Sequence, residues 1–195
     1  MKAAAVILAA GKSSRMGRNK LLLEVEGRSV LDRLLDAVLV SKVDDVVIVL
    51  GHKPGDITPI AESRSVRTVL NVDYERGMTS SFQTGLSAVH EDAVFLMLGD
   101  MLGLTPELID SMVDYMEATP EALIVSPVFE GKRGHPTLFR DKLYEEILNL
   151  PEGENMKHIV LRHEEGHHTV AGTIWCTFDF DTPEQFRKAL NLYIA

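Results

Sequence analysis

Short, almost uninterrupted apolar runs alternate along this chain with stretches whose apolar residues recur at helical spacing. That alternation limits the fold more than any other feature. Residues 3–9, 46–50, 66–70, 93–98 and 123–126 read as strands covered on both faces. Between them, residues 30–40 carry Leu31, Leu34, Leu35, Val38 and Leu39 on one helical face, and residues 80–90 and 106–116 repeat the pattern. The alternation predicts a three-layer α/β/α architecture with a mostly parallel central sheet. Ligands of such sheets sit at the carboxyl ends of the strands, so the loops after Ala9, Leu50, Leu70 and Leu98 are where chemistry is expected.

From Pro127 the pattern shortens to a turn at 130–134, a strand at 136–139, helices at 141–150 and 155–162, and a strand-like 169–171. No linker or repeat interrupts it, so residues 1–195 are expected to form one domain. The net charge of −9 argues against general binding to nucleic acid or to an anionic membrane. A single cysteine, Cys176, excludes an intrachain disulfide and suits a reducing compartment. Only about eight apolar residues follow Met1-Lys2, and no run approaches the roughly 20 of a membrane span. A cytoplasmic protein is the expectation.

The first strand runs straight into Gly11-Lys12-Ser13-Ser14-Arg15-Met16-Gly17-Arg18-Asn19-Lys20. Four cations within nine residues of an acidic chain, on a Gly- and Ser-rich loop, are what a polyphosphate needs. Backbone N–H groups can face the oxyanions while Lys12, Arg15, Arg18 and Lys20 neutralise charge. The loop is neither a Walker A motif, since Val6 stands where its first Gly belongs, nor GxGxxG, since Ser13 replaces the second Gly.

Leu8-Ala9-Ala10-Gly11-x-Ser13-x-Arg15-Met16-Gly17-x-x-Lys20 resembles the signature of nucleotidyltransferases that move a nucleoside monophosphate onto a phosphorylated acceptor. Three further blocks follow in order. Gly99-Asp100 after the fourth strand and Asp179-x-Asp181 before Thr182-Pro183-Glu184 resemble that family's Mg²⁺ ligands. The stretch from Asn71 through Gly77 to Ser80-Ser81 and Gly85 resembles its nucleobase segment, in the form of the cytidylyltransferase branch. Arg133-Gly134-His135-Pro136-x-Leu138-Phe139 resembles the molybdenum cofactor cytidylyltransferases. Two departures stand out: Met101-Leu102-Gly103 where the family has a Pro soon after the first Asp, and Gly153-Glu154-Asn155-Met156 in place of a Gly-Asp-x-Gly turn.

The resemblance implies a Rossmann-like nucleotidyltransferase fold, with residues 1–126 binding nucleotide and 127–195 binding the acceptor and supplying the second metal ligand. It implies transfer of CMP from CTP to a phosphorylated acceptor, molybdopterin, with pyrophosphate released and an apo-molybdoenzyme as onward partner. It assigns nucleotide contacts to Leu8, Ala9, Ala10, Gly11, Lys12, Asn71, Ser80, Ser81 and Gly85, and acceptor contacts to Gly134 and His135. Arg15 and Lys20 become catalytic: Lys12 and Arg15 at the β- and γ-phosphates, Lys20 beside the α-phosphate. Asp100 and Asp181 become ligands of Mg²⁺, or of Mn²⁺ in its place, with Asp179 assisting or flanking them. A sugar phosphate as acceptor, and a non-catalytic nucleotide-binding chaperone, remain as alternatives. Two motifs point elsewhere. His163-Glu164-Glu165-Gly166-His167 matches HExxH literally, but Gly166 and the strand-like residues after it are wrong for a zinc-protease helix. Asp179-x-Asp181 also matches the Asp-x-Asp of sugar-nucleotide glycosyltransferases.

Overall fold

The computed structural model of the protein describes residues 1–151 and 153–194. The chain opens with β1 (Ala3–Ala9), a small hairpin of β2 (Glu24–Val25) and β3 (Arg28–Ser29), and α1 (Val30–Leu39). It continues through β4 (Asp45–Leu50), α2 (Thr58–Ser63), β5 (Arg67–Leu70), α3 (Met78–Leu86), β6 (Ala93–Leu98) and α4 (Pro106–Ala118). The remainder comprises β7 (Ile124–Phe129), β8 (Lys132–Arg133), β9 (Thr137–Arg140), α5 (Tyr144–Leu148), α6 (Met156–Arg162), β10 (His167–Ala171) and α7 (Pro183–Ile194).

β1 explains the layering. Successive strand side chains point to opposite faces. Ala3, Ala5, Ile7 and Ala9 therefore join one core with Leu31, Leu34 and Leu35 of α1 and Ile109 and Met112 of α4. Ala4 and Val6 join the other with Phe82 and Leu86 of α3, Ile147 of α5 and Ile159 of α6. Both faces are covered by helices, as the apolar run requires.

The main sheet runs β10-β7-β9-β6-β1-β4-β5, with β8 paired to β7. β1 pairs in parallel with β4 and β6, as does β4 with β5 and β7 with β10. β9 is antiparallel to β6 and β7, and β8 to β7. The architecture is the expected α/β one with a mostly parallel sheet, and its last third extends the same sheet. A third core joins Met16, Leu23 and Val25 to Phe180 and, from α7, Phe186 and Ala189.

Several local expectations give way. β5 was expected to be covered on both faces, but it is the sheet edge, and Arg67, Thr68 and Leu70 are exposed. α3 begins at Met78, so Ser80 lies inside its first turn. Neither the β2–β3 hairpin nor α2 was expected; two-residue strands have no periodicity to read, and α2 is under two turns long. No described helix is long and apolar enough to cross a membrane.

Candidate active site

A cavity of about 520 Å³ opens at the carboxyl ends of β1 and β6. One wall is Leu8 to Ser13, another is Gly99 and Asp100, and a third is Tyr74, Glu75, Gly77, Met78 and Ser81, with Lys20 and Asp179 also lining it. These are the loops that follow three parallel strands, where a sheet of this topology presents its ligands.

The loop after β1 is shaped by what it buries. Ser13 takes a left-handed conformation (φ 48°, ψ 36°), and Ser14–Met16 form a tight 3-10 turn that sends Met16 into the third core. The Ser13 hydroxyl accepts from the Lys20 N–H at 3.2 Å, closing the loop on itself. Lys12 projects across the cavity mouth, where its Nζ lies 2.5 Å from Glu75 Oε1 and 5.8 Å from the centre of the Tyr74 ring. Both partners are exposed, so the pair holds Lys12 in place without binding it firmly.

Opposite this loop three carboxylates converge. Asp100 follows β6 directly, and Asp179 and Asp181 flank Phe180, whose ring is buried. With one side chain of the triplet fixed inward, its two neighbours are turned outward together. Gln185 completes the mount: its Oε1 accepts from the backbone N–H groups of Asp181 and Thr182 at 2.9 and 3.0 Å, while Thr182 Oγ1 accepts from the Gln185 N–H at 3.3 Å. This is a capping box at the start of α7.

One oxygen from each of Asp100, Asp179 and Asp181 lies within 4.8 Å of the others. Lys20 sits among them, in contact with Asp100, 2.7 Å from Asp181 Oδ1 and 3.9 Å from Asp179 Oδ1. Arg15 Nη2 lies 2.5 Å from Asp181 Oδ2. Expected at the phosphates, Lys20 and Arg15 thus rest on the acids, because like charges crowded at partial burial need counter-charge. Burial disfavours the Lys20 ammonium, but the Asp100 charge and the bonds to Asp100 and Asp181 outweigh it and raise its pKa. The Lys20 hydrogen bond holds Asp181 below the usual carboxylate range. Burial pushes Asp179 up, with Asp181 and Asp100 adding to it against the pull of Lys20. Hard carboxylate oxygens in such a cluster, facing a cavity with room for phosphates, fit Mg²⁺ or Mn²⁺.

The nucleobase segment divides into a lining residue and its supports. Asn71 is buried; its Oδ1 accepts from the Asp73 N–H at 2.9 Å, which fixes the amide's orientation. Its Nδ2 then donates to Ser80 Oγ at 3.0 Å and Ser81 Oγ at 3.1 Å. The Ser80 hydroxyl donates to the Asp73 carbonyl at 3.2 Å. Ser81 lines the cavity and, already accepting from Asn71, has its hydroxyl proton left to donate inward. Asn71 and Ser80 therefore sit behind the wall they were expected to form. Gly85 differs further from expectation: a Cβ there would meet Val6 Cγ1 at 2.3 Å and Val49 Cγ2 at 2.8 Å, so its place is in helix-to-sheet packing.

Gly134 and His135 also lie outside the cavity lining. A Cβ on Gly134 would stand 2.0 Å from the Cys176 carbonyl oxygen, and the His135 N–H donates to that oxygen at 2.8 Å. The pair docks the segment that leads to Asp179 and Asp181. Burial holds the His135 imidazole below its usual pKa despite the Asp100 charge, so its ring is uncharged at neutral pH.

Glu75, Gln185 and Phe180 are site residues that sequence reasoning missed. Gln185 could have been found, since Thr followed three residues later by Gln is a capping-box pattern. The HExxH histidines do not converge: His163 Nε2 meets Glu146 at 2.6 Å, while His167, in β10, meets Ser126 Oγ at 2.9 Å.

The chain is 29% identical to the molybdenum cofactor cytidylyltransferase of Escherichia coli K12 over 190 residues, covering 96% of this chain and 95% of that one. It is 28% identical to nicotine blue oxidoreductase of Paenarthrobacter nicotinovorans, covering 82% and 81%. Among solved structures, Rv0371c of Mycobacterium tuberculosis H37Rv superposes with a TM-score of 0.81 at 24% identity, covering 98% of this chain and 99% of that one. The same protein has also been solved in complex with manganese, with a TM-score of 0.77 at 23% identity and coverage of 98% and 99%. At these identities the solved structures speak for the fold. Residues 5–168 match the MobA-like NTP transferase domain, and the chain belongs to that family of nucleotidyltransferases.

Proposed function

We propose that the protein transfers CMP from CTP to a phosphorylated acceptor, molybdopterin, releasing pyrophosphate. The observation that carries this reading is the facing of a cationic Gly-Ser loop and three carboxylates across one cavity. An oxygen of the acceptor's phosphate attacks the α-phosphorus, a new P–O bond forms, and the bond to the β-phosphate breaks with its electrons leaving on pyrophosphate. A phosphate monoester, with its second pKa near 6, is already an anion at neutral pH, so no protein base is needed. Catalysis is positioning and charge neutralisation.

Lys12 and Arg15 hold the β- and γ-phosphates, Lys12 exchanging Glu75 and Arg15 exchanging Asp181 for phosphate oxygens. Lys20 turns toward the α-phosphate and meets the charge that develops there. Asp100 and Asp181, with Asp179 beside them, would hold Mg²⁺ or Mn²⁺, which would supply positive charge to the triphosphate. Ser81 donates to an acceptor atom on the base edge, and Leu8 to Gly11 give it a backbone wall. Residues 1–126 serve the nucleotide, and 127–195 the acceptor, with Gly134 and His135 shaping that side. The similarity to a cytidylyltransferase across nearly the whole chain supports both CTP and molybdopterin. An apo-molybdoenzyme would then take up the product.

A relative at 28% identity is named an oxidoreductase, so overall similarity alone does not fix the reaction. The test is pyrophosphate release from CTP, GTP, UTP and ATP with Mg²⁺, with and without molybdopterin carrying molybdenum. Release from CTP alone, only with the acceptor, is expected. Tight CTP binding without release from any nucleotide would overturn the reading.

A further inference from the structure

The loop after β1 has a second, outer face. There a separate cavity of about 220 Å³ lies between this loop and the one after β4. Gly11, Lys12 and Ser13 wall both cavities, so the loop is a partition between them. The outer cavity adds Arg18, His52 and Lys53, with Asp56 as its one acid. Neither Arg18 nor Lys53 makes an ion pair among the described residues, although the chain carries an excess of nine acids over basic residues.

The walls are held by backbone. The His52 N–H donates to the Ala10 carbonyl at 3.1 Å. A Cβ on Gly51 would come within 2.6 Å of Ala10 Cβ, so the two loops are in direct contact. Lys53 takes a left-handed conformation (φ 48°, ψ 62°) just ahead of Pro54. Small size, the two cations Arg18 and Lys53 against the single carboxylate of Asp56, and the hydroxyls of Ser13 and Ser14 suit a compact, multiply charged oxyanion.

We propose that this outer cavity is a second anion site, which receives inorganic pyrophosphate once it has left the inner cavity. The inference rests on the transfer reaction proposed above, which makes pyrophosphate at the other side of the same partition. Lys12, shared by both cavities, contacts the anion on either side, while Arg18 and Lys53 bind it only on the outer one. The chemistry is that of a diphosphate, and two sources can present it: free pyrophosphate, or the tail of a bound triphosphate.

Calorimetric titration of inorganic pyrophosphate, and separately of CTP, into the wild type, Lys53→Gln and the Arg18→Gln/Lys53→Gln double variant separates these sources. It needs no turnover, so it reads the site even where the transfer reaction fails. Pyrophosphate binding is expected to weaken about tenfold in Lys53→Gln and further in the double variant, the scale of losing one charge-assisted hydrogen bond at a time. CTP binding to Lys53→Gln should stay within about twofold of wild type. Parallel weakening of CTP and pyrophosphate would assign the cavity to the triphosphate tail and overturn the proposal. Unchanged pyrophosphate binding in the double variant would overturn it outright.

Discussion

Two polar clusters in this molecule are built by opposite rules. At the mouth of the cleft, Lys20 and Arg15 pair with Asp100 and Asp181 beside Asp179, and all five side chains stay at least partly exposed. On β10, β7 and β9, His167, Ser126 and Thr137 are buried and joined by hydrogen bonds between His167 Nε2 and Ser126 Oγ and from Ser126 Oγ to Thr137 Oγ1. Burial pushes the His167 pKa down to about 4, which keeps the second cluster uncharged at neutral pH. The first cluster has partners that phosphates can replace, and the second has none to spare. Charge at the surface of a cleft is exchangeable, while a neutral chain inside a sheet serves the fold.

The largest test of that contrast removes the central cation. Lys20→Ala is expected to cut the rate of pyrophosphate release by roughly 10²-fold or more, the scale of losing one preorganised donor at a developing oxyanion. Near-normal single-turnover release would break the comparison, because Lys20 would then be only a counter-ion for the acids. A second test attacks what holds the acids rather than the charges themselves. Phe180→Ala empties a buried ring site in the third core and should destabilise the protein by about 3 kcal/mol or more, read from its denaturant midpoint. It should also lower turnover at temperatures where the variant is folded, since Asp179 and Asp181 lose their shared anchor. Phe180→Leu should recover most of both losses. A variant that is destabilised yet fully active would show that Gln185 and the α7 cap suffice to place the carboxylates.

Legibility from the sequence followed the same division. β1 and β6 match the expected spans because continuous apolar runs buried on both faces leave no other reading. α1 and α4 were visible from their periodicity, to within one or two residues at their ends. The sheet order was not readable, because the insertion of antiparallel β9 between β6 and β7 depends on contacts far apart in sequence. In the candidate site, Asp100, Asp181 and Lys20 were singled out as residues, but their mutual contact was not readable, since Asp100 and Asp181 lie 80 and 161 residues from Lys20 along the chain. Gly85 was assigned to the ligand because a glycine near a helix start serves a ligand or a packing contact with the same sequence signal. Only the 2.3 Å approach of Val6 decides between them.

The smallest expected effect comes from the neutral cluster, and its sign follows from linkage. His167 titrates near 6.5 when unfolded and near 4 when folded, so between those values the unfolded chain holds a proton that the native protein does not. Its contribution is therefore fully present above about pH 6.5 and is lost as pH falls toward 4, by at most roughly 1.4 kcal/mol per pH unit. Glu146, held down by its hydrogen bond to His163, also loses stability on acidification whatever residue stands at 167, while Glu164 is held down mainly by Arg133, with His167 adding a lesser pull. The difference between wild type and His167→Gln isolates the histidine. At about pH 7 wild type should be the more stable, because glutamine disturbs a packed site, and the gap should narrow by about pH 5. A gap independent of pH would mean that His167 takes up its proton as readily in the folded protein as in the unfolded chain, and the cluster would then not be held neutral by burial.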